Sequence, residues 1–259
     1  MRKFINIILL ATLFGLNSAG QPITYKPGET IRYTINYGLI SAGEATLELK
    51  TRQYGGATVW HSKLTGKTTG MVDAFFKVLD VYESYIDPAT ELPVFTIRNI
   101  REGRYRKYNE VAFDHRTRSD STILTSDLTG IHIAEKGILD ILSCFYHFRD
   151  NIMPLKKNSL KAGDMITINT WFTDELFPVR LKYVTTEDVK TKAGKIRCYK
   201  FNPVTETGRL FETEEDVSFW FSADNNYLPV KIRFDIFVGA FTVEMDSYKG
   251  TAFPLEIKK

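Results

Sequence analysis

The chain of 259 residues carries 34 basic and 31 acidic side chains, a formal charge of +3, and two of the basic residues are Arg2 and Lys3. The remainder is near neutral, which argues against a nucleic-acid partner, since such proteins concentrate a basic surplus on one face. Two cysteines, Cys144 and Cys198, without paired histidines are too few for a standard structural zinc site.

Arg2 and Lys3 precede an apolar run from Phe4 to Leu16 and the small residues Ser18, Ala19 and Gly20. This predicts a cleavable secretory signal peptide over residues 1–20, because a spanning helix needs about 20 apolar residues. No Cys follows the run, so lipid attachment at a new N-terminus is not expected. Residues 21–259 are then expected in the periplasm or outside the cell, as a single β-rich domain without a transmembrane segment. An oxidising location permits Cys144 and Cys198 to pair. Free buried thiols are the other reading, and the spacing does not choose between them.

Residues 26–50 read as one hairpin. Ile31, Tyr33, Ile35 and Tyr37 alternate with Arg32, Thr34 and Asn36, and Ala45, Leu47 and Leu49 alternate with Glu44, Thr46, Glu48 and Lys50. That period of two marks strands with one apolar face, and residues 38–43, with Gly38 and Gly43, supply the turn. A third strand follows over 57–68, and Met71, Val72, Phe75 and Phe76 fall at helical spacing, which reads as a single turn of helix or a bulge over 70–77. Residues 78–86 and 93–100 form a second hairpin across Asp87-Pro88-Ala89-Thr90. Shorter strands follow over 105–114 and 121–125.

Ile138, Ile141, Leu142, Phe145 and Phe148 recur three and four apart, which predicts a helix over 135–151 with this stripe turned inward. Asp140, Ser143, His147 and Asp150 fall on its other side, and Pro154 is expected beyond its end. Strands resume over 165–172, 179–186, 195–203, 217–222, 228–237 and 241–248. The whole pattern predicts a mainly β fold, a strongly curved antiparallel sheet or partly closed barrel of ten or more strands with one long helix packed on it.

Two halves of the chain resemble each other. Lys26, Gly28 and Glu29 correspond to Lys161, Gly163 and Asp164; Val81 to Val217; Leu92-Pro93-Val94 to Leu228-Pro229-Val230; Ile100 to Ile236; and Gly103 to Gly239. An internal duplication of 26–103 as 161–239 accounts for this, as does convergent hairpin grammar. Duplication predicts equal strand order and equivalent places for Pro93 and Pro229, at strand starts or edges.

No catalytic grammar is found. His61, His115, His132 and His147 are scattered without metal-binding pairs, and no nucleophile elbow, phosphate loop or dinucleotide motif occurs. No cofactor is expected. Glu212, Glu214, Glu215 and Asp216 read as a solvated turn. The basic group Arg98, Arg101, Arg104, Arg106 and Lys107, with Tyr105 and Tyr108 between, is expected at a hairpin end around Gly103. It suits contact with an anion or partner, or the solubilising of an edge strand. Aromatic residues such as Phe145, Phe148, Trp220 and Phe234 lie in apolar stretches, suited to a core or a pocket lining.

Several stretches in this order, GETIRYTINYGLISAGEATLEL, FFKVLDVYESYID, ILDILSCFYHFRD, KTKAGKIRCYKFNP and WFSADNNYLPVKI, resemble the exported bacterial proteins of domain-of-unknown-function family 3108. The resemblance implies an envelope protein without an established activity. Residues 217–232 with the hairpin at Gly194 are also similar to the C-terminal part of lipoprotein-localisation (Lol) carriers, whose curved sheet wraps an apolar cavity under helices. Together these readings lead to a non-enzymatic envelope protein that binds a lipid or other amphiphile between sheet and helix. The expected lining is Ile138, Leu142, Phe145, Phe148, Trp220 and Phe234. The alternatives are a scaffold that binds an envelope protein or glycan and, behind it, a hydrolase.

Overall fold

The computed structural model describes residues 23–204, 216–235 and 239–258. The expected signal peptide, Glu212, Glu214, Glu215, Ile236 and Phe237 lie outside the described residues. Strands β1 (Thr30–Tyr37), β2 (Ile40–Tyr54), β3 (Ala57–Thr68), β4 (Leu79–Ile86), β5 (Pro93–Glu102), β6 (Tyr105–Asp114), β7 (Ser121–Ser126) and β8 (Gly130–Glu135) form one antiparallel meander. A second contains β9 (Met165–Phe172), β10 (Glu175–Thr191), β11 (Gly194–Pro203), β12 (Val217–Ser222), β13 (Pro229–Asp235) and β14 (Ala240–Lys249). Pairing of β1 with β14 joins the two into one sheet, and β15 (Ile257–Lys258) adds to β11. The fold is thus the curved antiparallel sheet that the alternation predicts. Strand β8 was not foreseen, and β2 and β10 run well beyond their expected ends. The single turn α1 (Gly70–Phe75) stands where helical spacing interrupts the strands.

Register explains which side chains face inward. Ile31 stands opposite Leu47, Leu47 opposite Leu64, Leu64 opposite Tyr82, Tyr82 opposite Arg98 and Arg98 opposite Asn109. Opposed residues of an antiparallel pair share a face, so this row crosses β1 to β6 on the concave side. It begins in the core and ends on two polar side chains.

The sheet curls until its far ends meet, yet β8 and β9 do not pair. Asp174, between β9 and β10, accepts hydrogen bonds from Ser126 Oγ (2.9 Å) and Asn109 Nδ2 (3.4 Å), and the Arg98 guanidinium lies 5.1 Å from the Phe172 ring centre. Leu139 forms a parallel bridge to Thr170, and its carbonyl accepts from Trp171 N at 2.7 Å. Side chains and this short segment close the seam in place of a ladder.

The helix differs from expectation at both ends. It begins at Ile141 because the Asp140 carboxylate accepts from Leu142 N (2.7 Å) and Ser143 N (3.3 Å), while Ser143 Oγ accepts from Asp140 N (3.0 Å). This capping box fixes the start, and Gly137, at φ 76°, turns the chain before it. The helical path runs as α2 (Ile141–His147), a π-turn (Phe148–Ile152) and α3 (Met153–Lys156). Pro154 lies inside it, in the first turn of α3, where a missing N–H is tolerated. Nor is the polar side of the helix wet. Asp140 and Asp150 are buried, bonded to Ser84 Oγ (2.6 Å) and Thr24 N (2.6 Å), and the Tyr146 hydroxyl meets Ser62 Oγ at 3.2 Å. The helix is sunk inside the curl, and its buried polar groups find partners on the sheet and on the segment before β1.

One ion pair anchors it. Arg149 is 0% exposed and Glu29 1%. The guanidinium donates to both Glu29 oxygens (2.6 and 2.8 Å), to the Asn226 carbonyl (2.8 Å) and to the Thr24 carbonyl (3.0 Å). Aromatic rings of Tyr25, Phe145 and Tyr146 surround it at 5.2 to 5.8 Å. Burial works to lower the pKa of Arg149, but the Glu29 charge and its hydrogen bonds outweigh burial and raise it.

The two meanders share local detail. Gly28 and Gly163 have φ of 103° and 95°, and Glu29 N and Asp164 N donate to the carbonyls of Lys26 and Lys161 at 3.2 and 2.9 Å. Pro93 and Pro229 open β5 and β13, each opposite a residue at a register shift, Ile86 or Phe221.

Removing one partner of a buried ion pair strands the other charge, at a cost of about 3–5 kcal/mol. Arg149→Met is therefore expected to lower the unfolding free energy by about that much in urea titration, and Arg149→Met with Glu29→Gln to recover part of it. A loss under about 1 kcal/mol for Arg149→Met contradicts this role.

Candidate functional site

The helix fills one part of the concavity and leaves a cavity of about 470 Å³ beside it, within the size range of small-molecule sites. Alternation on the strands supplies the walls. Tyr33 and Ile35 come from β1, Leu47 and Leu64 from β2 and β3, and Phe219 and Trp220 from β12, with Ile141, Leu142 and Phe145 on the helix side. The lining is almost wholly apolar. Three of its polar side chains are held by the protein: the Tyr33 hydroxyl donates to the Pro229 carbonyl (3.1 Å), Trp220 Nε1 to Glu187 (2.6 Å) and Lys231 Nζ to Glu244 (2.6 Å). Burial, and then the charge of Glu29, push the Tyr33 pKa well up, so the phenol stays neutral.

Among the residues expected from sequence to form a lining, Leu142, Phe145, Phe148, Trp220 and Phe234 surround this cavity. Ile138 does not. It packs with Val111, Phe113 and Leu124, because the helix starts three residues after it and the stripe does not extend back that far. The β1 to β3 contribution was missed, although the alternation of Tyr33 with Ile35 and of Ala45 with Leu47 already placed these residues on common faces.

The basic group divides. Arg101, Arg104 and Arg106 are exposed around the turn at Gly103, and Arg106 donates to the carbonyls of Gly103 (2.8 Å) and Tyr105 (2.7 Å). Lys107 is half-buried beside them. Arg98, by contrast, points inward, because its register puts it between Tyr82 and Asn109. Its Nε and Nη1 are buried without a hydrogen-bond partner. The expectation of one projecting cluster is corrected to this extent.

The histidines serve local contacts. His61 Nε2 lies 2.7 Å from Glu83, His115 bonds Thr122 and the Pro93 carbonyl, and His132 bonds Thr129. Burial lowers the pKa of His147, which is half-buried.

Cys144 and Cys198 are free, so the pairing that an oxidising compartment permits is not formed. They belong to different apolar clusters, Cys144 with Phe148 and Phe221, and Cys198 with Trp220 and Met245. Burial pushes the Cys198 thiol up to about 12 and raises that of Cys144 as well. Since the thiolate is the reactive form, neither is expected to react with a disulfide reagent in the native protein, and both are expected to react in guanidinium chloride. A rapid native reaction of either thiol contradicts the packing described.

Among the described residues, no helix is long and apolar enough to cross a membrane, which leaves crossing by strands untouched. No curated protein matches the chain. A β-barrel-like protein of domain-of-unknown-function family 1849 from Brucella abortus superposes with a TM-score of 0.58 at 8% identity, covering 89% of this chain and 99% of that one. This likeness is one of fold. A protein from Bacteroides fragilis described as exported, with a YmcC-like fold, gives 0.38 at 11% identity over 89% and 99% of the two chains. A Pseudomonas aeruginosa protein of family 1089 gives 0.37 at 12% identity over 75% and 90%. The model of the family described as "Protein of unknown function (DUF3108)" matches residues 32–246, and the chain belongs to that family.

Proposed function

We propose that this chain is an exported envelope protein, periplasmic or secreted, that binds an apolar or amphiphilic molecule between sheet and helix and performs no catalysis on it. The observation that carries the reading is the cavity of about 470 Å³ with its almost wholly apolar lining, in which the polar atoms of Tyr33, Trp220 and Lys231 are already bonded within the protein. Dry apolar cavities favour apolar occupants over water, and such a lining offers no group poised for acid–base work. The apolar run at residues 4–16 after two basic residues supports export. The common strand order and the shared Gly-turn and Pro-start geometry of the two meanders support a duplicated origin for residues 26–103 and 161–239, with the cavity walled by both halves.

A scaffold is the second reading, and one observation favours it. Among the described residues, strand β8 has no partner along its outer edge, and its Ile131 and Ile133 are 72% and 54% exposed; such edges invite pairing with another chain. The basic turn at Gly103 would add contacts to an acidic partner or glycan.

Binding of the neutral dye N-phenyl-1-naphthylamine tests the first reading. Saturable fluorescence enhancement is expected with the wild-type protein. Leu64→Trp, which fills the cavity, is expected to abolish it, and Phe145→Ala to weaken dye retention more than it lowers the unfolding temperature. Absence of saturable binding, or binding unchanged by Leu64→Trp in a folded protein, removes the cavity as a ligand site and leaves the β8 edge as the better account.

A further inference from the structure

Buried polar atoms lack partners at the seam of the sheet: the donors Arg98 Nε, Arg98 Nη1 and Trp171 Nε1, and the acceptor Asp174 Oδ1. Buried polar groups are nearly always bonded, and the exceptions call for an explanation such as a bound ligand or water. Arg98 and Trp171 line a small void of about 30 Å³ that shares Tyr82, Ile141, Leu142 and Phe172 with the large cavity. The two spaces therefore adjoin, and the inward row Leu47, Leu64, Tyr82, Arg98 runs from the apolar one to the polar one.

We infer that the cavity takes a single-chain amphiphile with an anionic headgroup, whose charge sits against Arg98 and accepts hydrogen bonds from Arg98 and from Trp171 Nε1. This rests on the cavity reading above and adds the class of ligand. A guanidinium is always charged and presents its donors in a plane suited to a carboxylate or phosphate. Here the Phe172 ring covers one side of it at 5.1 Å, so the group is held in place before any ligand arrives.

Tyr82 and Glu102 lie within electrostatic reach of the Arg98 guanidinium, yet Nε and Nη1 remain without a partner, and the acids at the void are engaged elsewhere. Glu83, which also lines the void, is held by His61 (2.7 Å) and Lys63 (3.7 Å). Asp140 is engaged by Ser84, Leu142 N and Ser143 N, and its burial favours the neutral form. Asp174 engages Asn109 and Ser126 through Oδ2 alone, and its unpartnered Oδ1 is an acceptor that a water or a protonated phosphate satisfies and a bare carboxylate does not. A void of this size also holds one water, which is the competing occupant, and the test must separate the two.

Oleate and oleyl alcohol share a chain and differ in charge. Titrated by displacement of N-phenyl-1-naphthylamine at mildly alkaline pH, oleate is expected to bind the wild-type protein at least about tenfold more tightly, the usual scale for a charged hydrogen bond. Arg98→Gln is expected to bring the two ligands together by weakening oleate alone, Arg98→Lys to keep part of the preference, and Trp171→Phe to reduce it. Octyl phosphate is expected to compete and inorganic phosphate alone not to, which separates an amphiphile from a free anion.

Equal binding of oleate and oleyl alcohol by the wild-type protein overturns the inference and assigns the void to water, while leaving the apolar site intact. Equal weakening of both ligands by Arg98→Gln also overturns it, since Arg98 then only supports the wall. If neither ligand displaces the dye, the cavity reading falls and this inference with it. Displacement by inorganic phosphate alone replaces the amphiphile with a small anion.

Discussion

The fold depends on placing a helix inside a curled sheet, and the buried pair of Arg149 and Glu29 is what makes that placement stable. A buried charge is tolerated only when it is paired and its remaining hydrogen-bonding capacity is met. Here the carboxylate takes two bonds, backbone carbonyls of Thr24 and Asn226 take two more, and three aromatic rings exclude water from the group. One side chain thus ties together the segment before β1, the π-turn and the turn between β12 and β13.

The cavity follows from the same arrangement. A sheet this wide encloses more volume than its own side chains fill. The helix, fixed at its start by the Asp140 capping box and at its middle by Arg149, fills only part of that volume. What remains is walled by residues chosen by strand alternation, and alternation supplies apolar groups on the inner face with few exceptions. Arg98 is such an exception, lying on the inner face without a protein partner for two of its nitrogens.

Much of the architecture is legible from residue order alone. The Ile31 to Tyr37 and Ala45 to Leu49 alternations specify β1 and β2, and the five stripe residues of 138–148 announce a helix against the sheet. Other features depend on distant partners. The Arg149–Glu29 pair joins positions 120 apart in sequence, so no local pattern marks either residue as buried. The capping box overrides the periodicity that extended the helix back to Ile138, while the π-turn carries it past Asn151 and through Pro154. Strand β8, GIHIAE, is short and two-faced in exposure, so its pattern is weak. Arg98 shows the limit best: the charge run around it suggests a solvated surface, and only the register with Tyr82 and Asn109 reveals that this one member turns inward.

The central claim, that the interior holds an amphiphile, is tested most directly by mass spectrometry of an organic extract of the protein purified without detergent from the cells that produce it. The account predicts a chain-bearing anionic molecule recovered near one per protein. An extract that contains no such molecule, from protein whose crystal structure shows the cavity collapsed or filled by its own side chains, would contradict it.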